Sequence, residues 1–189
     1  DLDVVHFNGD TLDAPKIARF QGVHLLENKG KGAFESRQLA ELPGAHGIDI
    51  ADFDGDGRLD IIAVANLAPN IQQTVSGSQE DKATPVPLES ILLIRQHSPG
   101  QFTVQSVLRG ATCFSAVTAA DVDGDGDHDV VLGPFGLGWS LLKNASPRPG
   151  EKARDRVCDA DQLFWLENKG HTAPAKHADP IPPSVEDQK

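Results

Sequence analysis

The stretch "DFDGDGRLDII" at residues 52–62 places four aspartates and two glycines in its first nine positions and then becomes apolar. Nearly the same phrase, "DVDGDGDHDVV", returns 69 residues later at residues 121–131. Carboxylates this close together repel one another and resist ionisation unless something compensates their charge. Two copies in one register therefore indicate a repeated loop that serves a specific electrostatic purpose.

Other phrases also recur along the chain. "LDVV" at 2–5, "LDII" at 59–62 and "HDVV" at 128–131 form one matched set. "VHLLENKG" at 23–30 is echoed 140 residues later by "LFWLENKG" at 163–170, and "SILLIRQH" at 90–97 takes the place between them. Self-similarity of this kind is typical of repeat architectures, so about three copies of one unit are predicted.

Each unit has the features of antiparallel β-structure. Short runs rich in β-branched residues alternate with turns that contain glycine, asparagine or proline, and no amphipathic helix is evident. The run from Ile61 to Val64 is apolar on both faces, as expected for a strand that lies between two neighbouring sheets. The predicted fold is all-β, a β-propeller made of four-stranded antiparallel blades, of which about three are present.

A hard divalent cation would explain the acidic loop. Calcium takes 6–8 oxygen ligands, and alternate residues of a tight loop can converge on one ion, with glycines allowing positive φ. Aspartates stand at positions 1, 3, 5 and 9 of the loop, and a backbone carbonyl stands at position 7. The predicted ligands are Asp52, Asp54, Asp56, the backbone oxygen of Arg58 and Asp60 in the first loop, and Asp121, Asp123, Asp125, the backbone oxygen of Asp127 and Asp129 in the second.

The acidic loop has two other interpretations. An EF-hand shares these positions but needs a bidentate glutamate at position 12 and flanking helices. Position 12 is Ala63 in one copy and Leu132 in the other, and a strand-like run follows, so an EF-hand is excluded. A metal-free turn capped by aspartate hydrogen bonds is the plainer alternative, and two complete copies in register argue against it.

The phrases "DFDGDGRLDIIAVA" and "DVDGDGDHDVVLGPFG" resemble the FG-GAP/VCBS-type repeats, whose calcium loops also occur in the propeller of integrin α chains. The resemblance covers nearly all of residues 1–170. It implies a propeller of six to eight blades, extracellular or periplasmic, with calcium bound in hairpin loops by the residues named above. The motif is specific for fold and metal and poorly specific for biochemical function.

The opening "DLDVV" departs from that pattern, because Asp3 aligns with Asp60 and Asp129 whereas the upstream half of the motif is absent. Asp1 and Asp3 are therefore interpreted as the remnant of a third loop. Since a propeller needs about four blades to close, we expect the remaining blades to come from a longer chain, of which this is the C-terminal part, or from another subunit.

Composition limits the kinds of partner that the protein can have. The net charge of −11 argues against nucleic acid as a partner, and no apolar run reaches the length of a membrane span.

Cys113 and Cys158 fit either one disulfide outside the cytoplasm or two buried thiols. The polar segments 67–89 and 143–158 are predicted to be loops that bind partners. The proline-rich tail 171–189 is predicted to be disordered or to wrap a neighbour.

These features predict a non-catalytic, calcium-stabilised propeller that acts outside the cytoplasm as a binding or scaffold subunit for protein or polysaccharide. The alternative is an accessory or C-terminal domain of a secreted enzyme, a hydrolase, lyase or redox complex, whose catalytic part lies outside this chain. The sequence contains no GxSxG, HExxH or phosphate-loop motif, and its seven histidines are scattered singly. A third hypothesis is adhesion, in which the carboxylate of a ligand completes the calcium sphere.

Overall fold

The computed structural model describes residues 2–9, 17–67, 88–110, 113–135 and 163–170, together with the backbone of residues 179–180. Within these residues the chain is all-β, as predicted, and contains eleven strands. In chain order they are β1 (Val4–Asn8), β2 (Gly22–Gly30), β3 (Ala33–Glu41), β4 (Ala45–Ala51), β5 (Asp60–Ala65), β6 (Glu89–Ser98), β7 (Gln101–Arg109), β8 (Phe114–Ala120), β9 (Asp129–Pro134), β10 (Phe164–Leu166) and β11 (Asp179–Pro180).

The strands form three antiparallel sheets. Sheet 1 has the order β1-β2-β3, sheet 2 the order β4-β5-β6-β7, and sheet 3 the order β8-β9-β10-β11. Sheets 2 and 3 are four-stranded meanders in which every strand pairs with its neighbour in the chain. This simple up-and-down pairing is the arrangement expected of propeller blades, and the described sheets form consecutive blades of an incomplete propeller.

The repeat unit of the sequence and the hydrogen-bonded sheet are offset by one strand. A repeat unit of the sequence, counted from one acidic loop to the next, begins at the loop and ends with the strand that enters the following loop. In the structure that last strand is instead the first strand of the following sheet, because β4 pairs with β5 and β8 pairs with β9. Each complete acidic loop is therefore a hairpin connection inside one sheet, between its first and second strands.

The second strand of sheet 2 is the centre of the fold. All six residues of β5 are buried, which confirms that the strand lies between neighbouring sheets. Its side chains alternate between two cores: Ile62 and Val64 pack with residues of sheet 3, whereas Ile61 and Ala63 pack with residues of sheet 1. The core between sheets 2 and 3 contains Phe114 and Phe164, whose rings meet edge to face at 5.9 Å.

Polar contacts also join the sheets. Asp49 on β4 accepts hydrogen bonds at Oδ2 from the backbone N–H of Ala119 at 2.7 Å and from the Thr118 hydroxyl at 3.0 Å, both on β8. Arg37 on β3 donates to the backbone oxygen of Gly100 at 2.7 Å, at the turn between β6 and β7. Hydrogen bonds from the side chains of one sheet to the next, together with the two hydrophobic cores, therefore hold the three sheets side by side in sequence order.

The predicted disulfide, the two polar loops and the tail lie at the ends and connections of the sheets. Cys113 is disulfide-bonded, which agrees with the bridged alternative, and the chain's other cysteine lies outside the described residues. The described residues also exclude loop 143–158, most of loop 67–89 and all but two residues of the tail. Those two residues form β11, which pairs with Phe164 and Trp165 of β10. Among the described residues no helix is long and apolar enough to cross a membrane.

Candidate metal centre

The two acidic loops connect β4 to β5 and β8 to β9, at the same end of their sheets. Their glycines have positive φ, with values of 71° and 84° at Gly55 and Gly57, and 81° and 95° at Gly124 and Gly126. An added Cβ would meet no atom within 4 Å at these positions. Glycine is therefore required there by the backbone conformation and not by lack of space.

Position 1 of each loop organises the turn. The carboxylate of Asp52 accepts hydrogen bonds from the backbone N–H groups of Asp56 at 3.1 Å and Gly57 at 2.8 Å. The carboxylate of Asp121 accepts from Gly124 at 2.7 Å and Gly126 at 3.1 Å. These bonds fold each loop back on its first residue, and so bring the following carboxylates towards the first.

In the first loop, three carboxylates converge. One oxygen each from Asp52, Asp54 and Asp60 lies within 4.8 Å of the others. Oδ1 of Asp54 is buried and has no hydrogen-bond partner. Asp56, also predicted as a ligand, is instead paired with the guanidinium of Arg58 two residues later.

In the second loop, the converging oxygens belong to Asp121, Asp123 and Asp125. Position 7 is Asp127 here, so the arginine that holds the position-5 carboxylate in the first loop has no counterpart. Oδ1 of Asp127 is a further buried oxygen without a hydrogen-bond partner. Asp129 lies outside this cluster of three, although its side chain is fully buried.

Position 9 ties each loop to the third strand of its blade or to the residues that directly follow that strand. Oδ1 of Asp60 accepts the backbone N–H of Gln96 at 2.8 Å, and Oδ1 of Asp129 accepts that of Asn168 at 2.8 Å. Their other oxygens accept the N–H of position 2, from Phe53 at 3.3 Å and Val122 at 3.1 Å. In sheet 1, Asp3 accepts the N–H of Asn28 at 2.8 Å in the same way, as its alignment with position 9 predicts.

The asparagine of the repeated "ENKG" phrase, Asn28 or Asn168, hydrogen-bonds to two backbone groups through its side chain. This role was not predicted from the sequence. The Asn28 amide donates to the backbone oxygen of Leu2 at 3.1 Å, and its Oδ1 accepts the N–H of Gly30 at 2.8 Å. Asn168 repeats both contacts, with His128 at 3.2 Å and Gly170 at 3.2 Å. The exact recurrence of four residues over a distance of 140 was the signal available in the sequence.

Asn168 makes one further contact, which joins the two loops. Its Nδ2 also donates to the backbone oxygen of Phe53 at 2.9 Å, at position 2 of the first loop. The same amide group therefore binds position 2 of one loop and position 8 of the other. The two acidic clusters are connected through a single side chain that belongs to neither loop.

The surroundings of the loop carboxyl groups shift their pKa values. Backbone hydrogen bonds, first that from Gly57, lower the pKa of Asp52 below its usual value. Desolvation raises the pKa of three other loop carboxyls, and repulsion by neighbouring aspartates adds to the effect; these are Asp60, Asp123 and Asp127. Carboxyls that resist ionisation in the metal-free protein are the groups whose charge a bound cation would compensate.

The geometry fits a metal ion. Two oxygens bound to the same calcium at 2.3–2.6 Å are separated by at most about 4.6–5.2 Å, and the converging oxygens of each loop lie within 4.8 Å. Asp54 in addition offers a buried oxygen that no protein donor occupies. Each cluster could therefore hold a metal ion; the carbonyls of Arg58 and Asp127, and the full ligand sets, stay predictions. Asp1 lies outside the described residues.

Comparison with known proteins gives one match. Residues 2–63 match the model of the FG-GAP-like repeat, a segment that contains sheet 1, the first acidic loop and the start of β5. No curated protein and no solved structure matches the chain. The matched segment carries the "DFDGDGRLD" loop, and the remaining residues repeat that loop, its position-9 contact and its strand order. The chain thus contains an FG-GAP-like repeat at residues 2–63.

Proposed function

We propose that this chain is a non-catalytic, calcium-binding β-propeller module that acts outside the cytoplasm as a binding or scaffold unit. The observation that carries the proposal is the pair of converging aspartate clusters in equivalent hairpins of consecutive blades. Calcium would have a structural role there. It would neutralise each cluster and so hold the first two strands of a blade in register with the third.

The ligand chemistry favours calcium over other metals. The oxygens in both clusters are carboxylates, and neither histidine nor cysteine contributes to them. Hard cations prefer such ligands, whereas zinc and copper select nitrogen and sulfur. A flexible loop of glycines and aspartates suits the 6–8 ligands of calcium better than the strict octahedron of magnesium.

An extracytoplasmic location is supported by two features. FG-GAP repeats are typical of extracellular proteins, and the disulfide at Cys113 is of a kind that persists in oxidising compartments. Extracellular calcium also reaches concentrations that saturate loops of modest affinity. As partners we propose a protein subunit or a polysaccharide, which a glycan array and cross-linking mass spectrometry of the secreted protein would distinguish.

Calcium titration tests the proposal. Isothermal titration of chelator-treated protein should give two sites. For a dissociation constant near 0.1 mM, 1 mM calcium adds about 3 kcal/mol of stability over both sites, which corresponds to about 6–12 °C in Tm. The variants Asp54→Ala and Asp123→Ala should each lose one site.

The matched control is Glu35→Gln, which removes one negative charge from an exposed side chain of β3 that belongs to neither loop. It should retain both sites. A protein whose Tm is the same in excess chelator and in 1 mM calcium would exclude a structural role for the metal. Equal stabilisation by magnesium would show that the loops do not select calcium.

A further inference from the structure

A cleft opens between sheets 2 and 3, beside the acidic loops but separate from their carboxylate clusters. Its volume is about 130 Å³, and Phe53 and His128 of the two loops contribute to its wall. This volume corresponds to about four water molecules, or to a ligand of four to six heavy atoms. The apolar part of the wall comes from both sheets and includes Ile62, Leu93, Val130 and Leu166.

One cationic side chain that faces this cleft has no protein partner among the described residues. Arg95 follows Leu93 by two residues on β6, so both side chains point towards sheet 3. Within the described part of the chain, the Arg95 side chain makes no hydrogen bond or ion pair, and its Nε is buried. The other cationic side chain of the wall, Lys169, is paired with Glu167 at 3.1 Å.

A buried guanidinium N–H without an acceptor is destabilising, and an external acceptor would remove that cost. The guanidinium presents a planar fork that matches a carboxylate with two parallel hydrogen bonds. The apolar wall beside it favours a ligand with an aliphatic stem and disfavours a fully hydrated anion such as phosphate. The ligand must therefore combine a carboxylate with a short apolar chain.

We propose that the cleft between sheets 2 and 3 binds a carboxylate on a short aliphatic chain, with the Arg95 guanidinium as its ion-pair partner and Leu93, Val130 and Leu166 around the stem. Such a group can come from a free short-chain acid or from a glutamate side chain of a bound peptide. The carboxylate would contact none of the aspartates of the proposed calcium loops, so a failed carboxylate titration would leave the calcium proposal standing.

The test uses the full chain in calcium buffer, titrated with butyrate, with its neutral analogue butyramide, and with a blocked glutamate residue. Binding is followed by calorimetry and by the NMR signal of the Arg95 Nε–H. The proposal predicts saturable binding of butyrate, blocked glutamate or both, a shift of that signal, and about tenfold weaker binding or worse in Arg95→Gln. Butyrate alone would indicate a free acid, and blocked glutamate alone a peptide.

The matched control is Arg37→Gln, which removes the same charge from β3 of sheet 1 and should bind as the wild type does. The proposal is overturned if neither carboxylate saturates, if butyramide binds as well as butyrate, or if Arg95→Gln keeps the wild-type affinity. Should Arg95→Gln fail to fold, the Nε–H signal of the wild-type protein decides, because an unchanged signal at saturating carboxylate also overturns the proposal.

Discussion

Asn168 is the residue whose removal tests the coupling between blades most directly. Its amide donates to the backbone oxygens of Phe53 and His128, and its Oδ1 accepts the N–H of Gly170. The substitution Asn168→Ala deletes these three hydrogen bonds and keeps the backbone N–H that binds Asp129. It therefore loosens both acidic loops without touching a predicted metal ligand.

The magnitude follows from the number of bonds. A net contribution of about 0.5–1.5 kcal/mol for each hydrogen bond gives about 1.5–4.5 kcal/mol for Asn168→Ala. Asn28→Ala is the matched control, because Asn28 makes the two equivalent contacts within sheet 1 but is not seen to reach a second loop in the described part of the chain. It should cost about 1–3 kcal/mol, so the contact with Phe53 is worth the difference of about 0.5–1.5 kcal/mol.

Urea denaturation in calcium buffer and calcium calorimetry measure the two effects. Asn168→Ala is expected to unfold at lower urea than Asn28→Ala and to bind calcium more weakly at both described loops. Asn28→Ala should leave both of those sites unchanged. Equal denaturation midpoints for the two variants, together with unchanged calcium affinities in Asn168→Ala, would refute the inference that one amide connects the loops.

Three further predictions concern the loops and the contact between sheets. The conservative substitution Asp54→Asn should weaken calcium binding at the first loop more than at the second, because it removes a negative charge from one cluster only. Equal weakening of both sites in calorimetry would contradict the assignment of Asp54 to the first site. Asp49→Ala should lower the free energy of unfolding by about 1–3 kcal/mol, since it deletes two charge-assisted hydrogen bonds between β4 and β8, and an unchanged urea midpoint would show that the contact is dispensable. In chelator, the raised pKa values of Asp60, Asp123 and Asp127 make a stabilising contribution that is present at low pH and lost as the pH rises through the folded-state pKa values. Calcium should therefore raise Tm more at pH 7 than at pH 5, and a calcium effect that grows as the pH falls would contradict this sign.

Local pattern alone determined the all-β class, the repeat and the place of the acidic loops. The spacing of the aspartates and the glycines that require positive φ are properties of a nine-residue segment, and the apolar run after Asp60 already indicated a strand buried on both faces. Such features are local because backbone conformation and strand periodicity depend on a few adjacent residues.

Only the tertiary structure decided which strands share a sheet, which carboxylates converge and which residues hold the loops. The sequence unit ends with β4 or β8, but hydrogen bonding assigns each of these strands to the next blade. Asp56 turns to Arg58, and Asn168 reaches Phe53 across 115 positions of the chain. These outcomes depend on which donors and acceptors folding brings together over long distances, and a repeat pattern carries no information about that pairing.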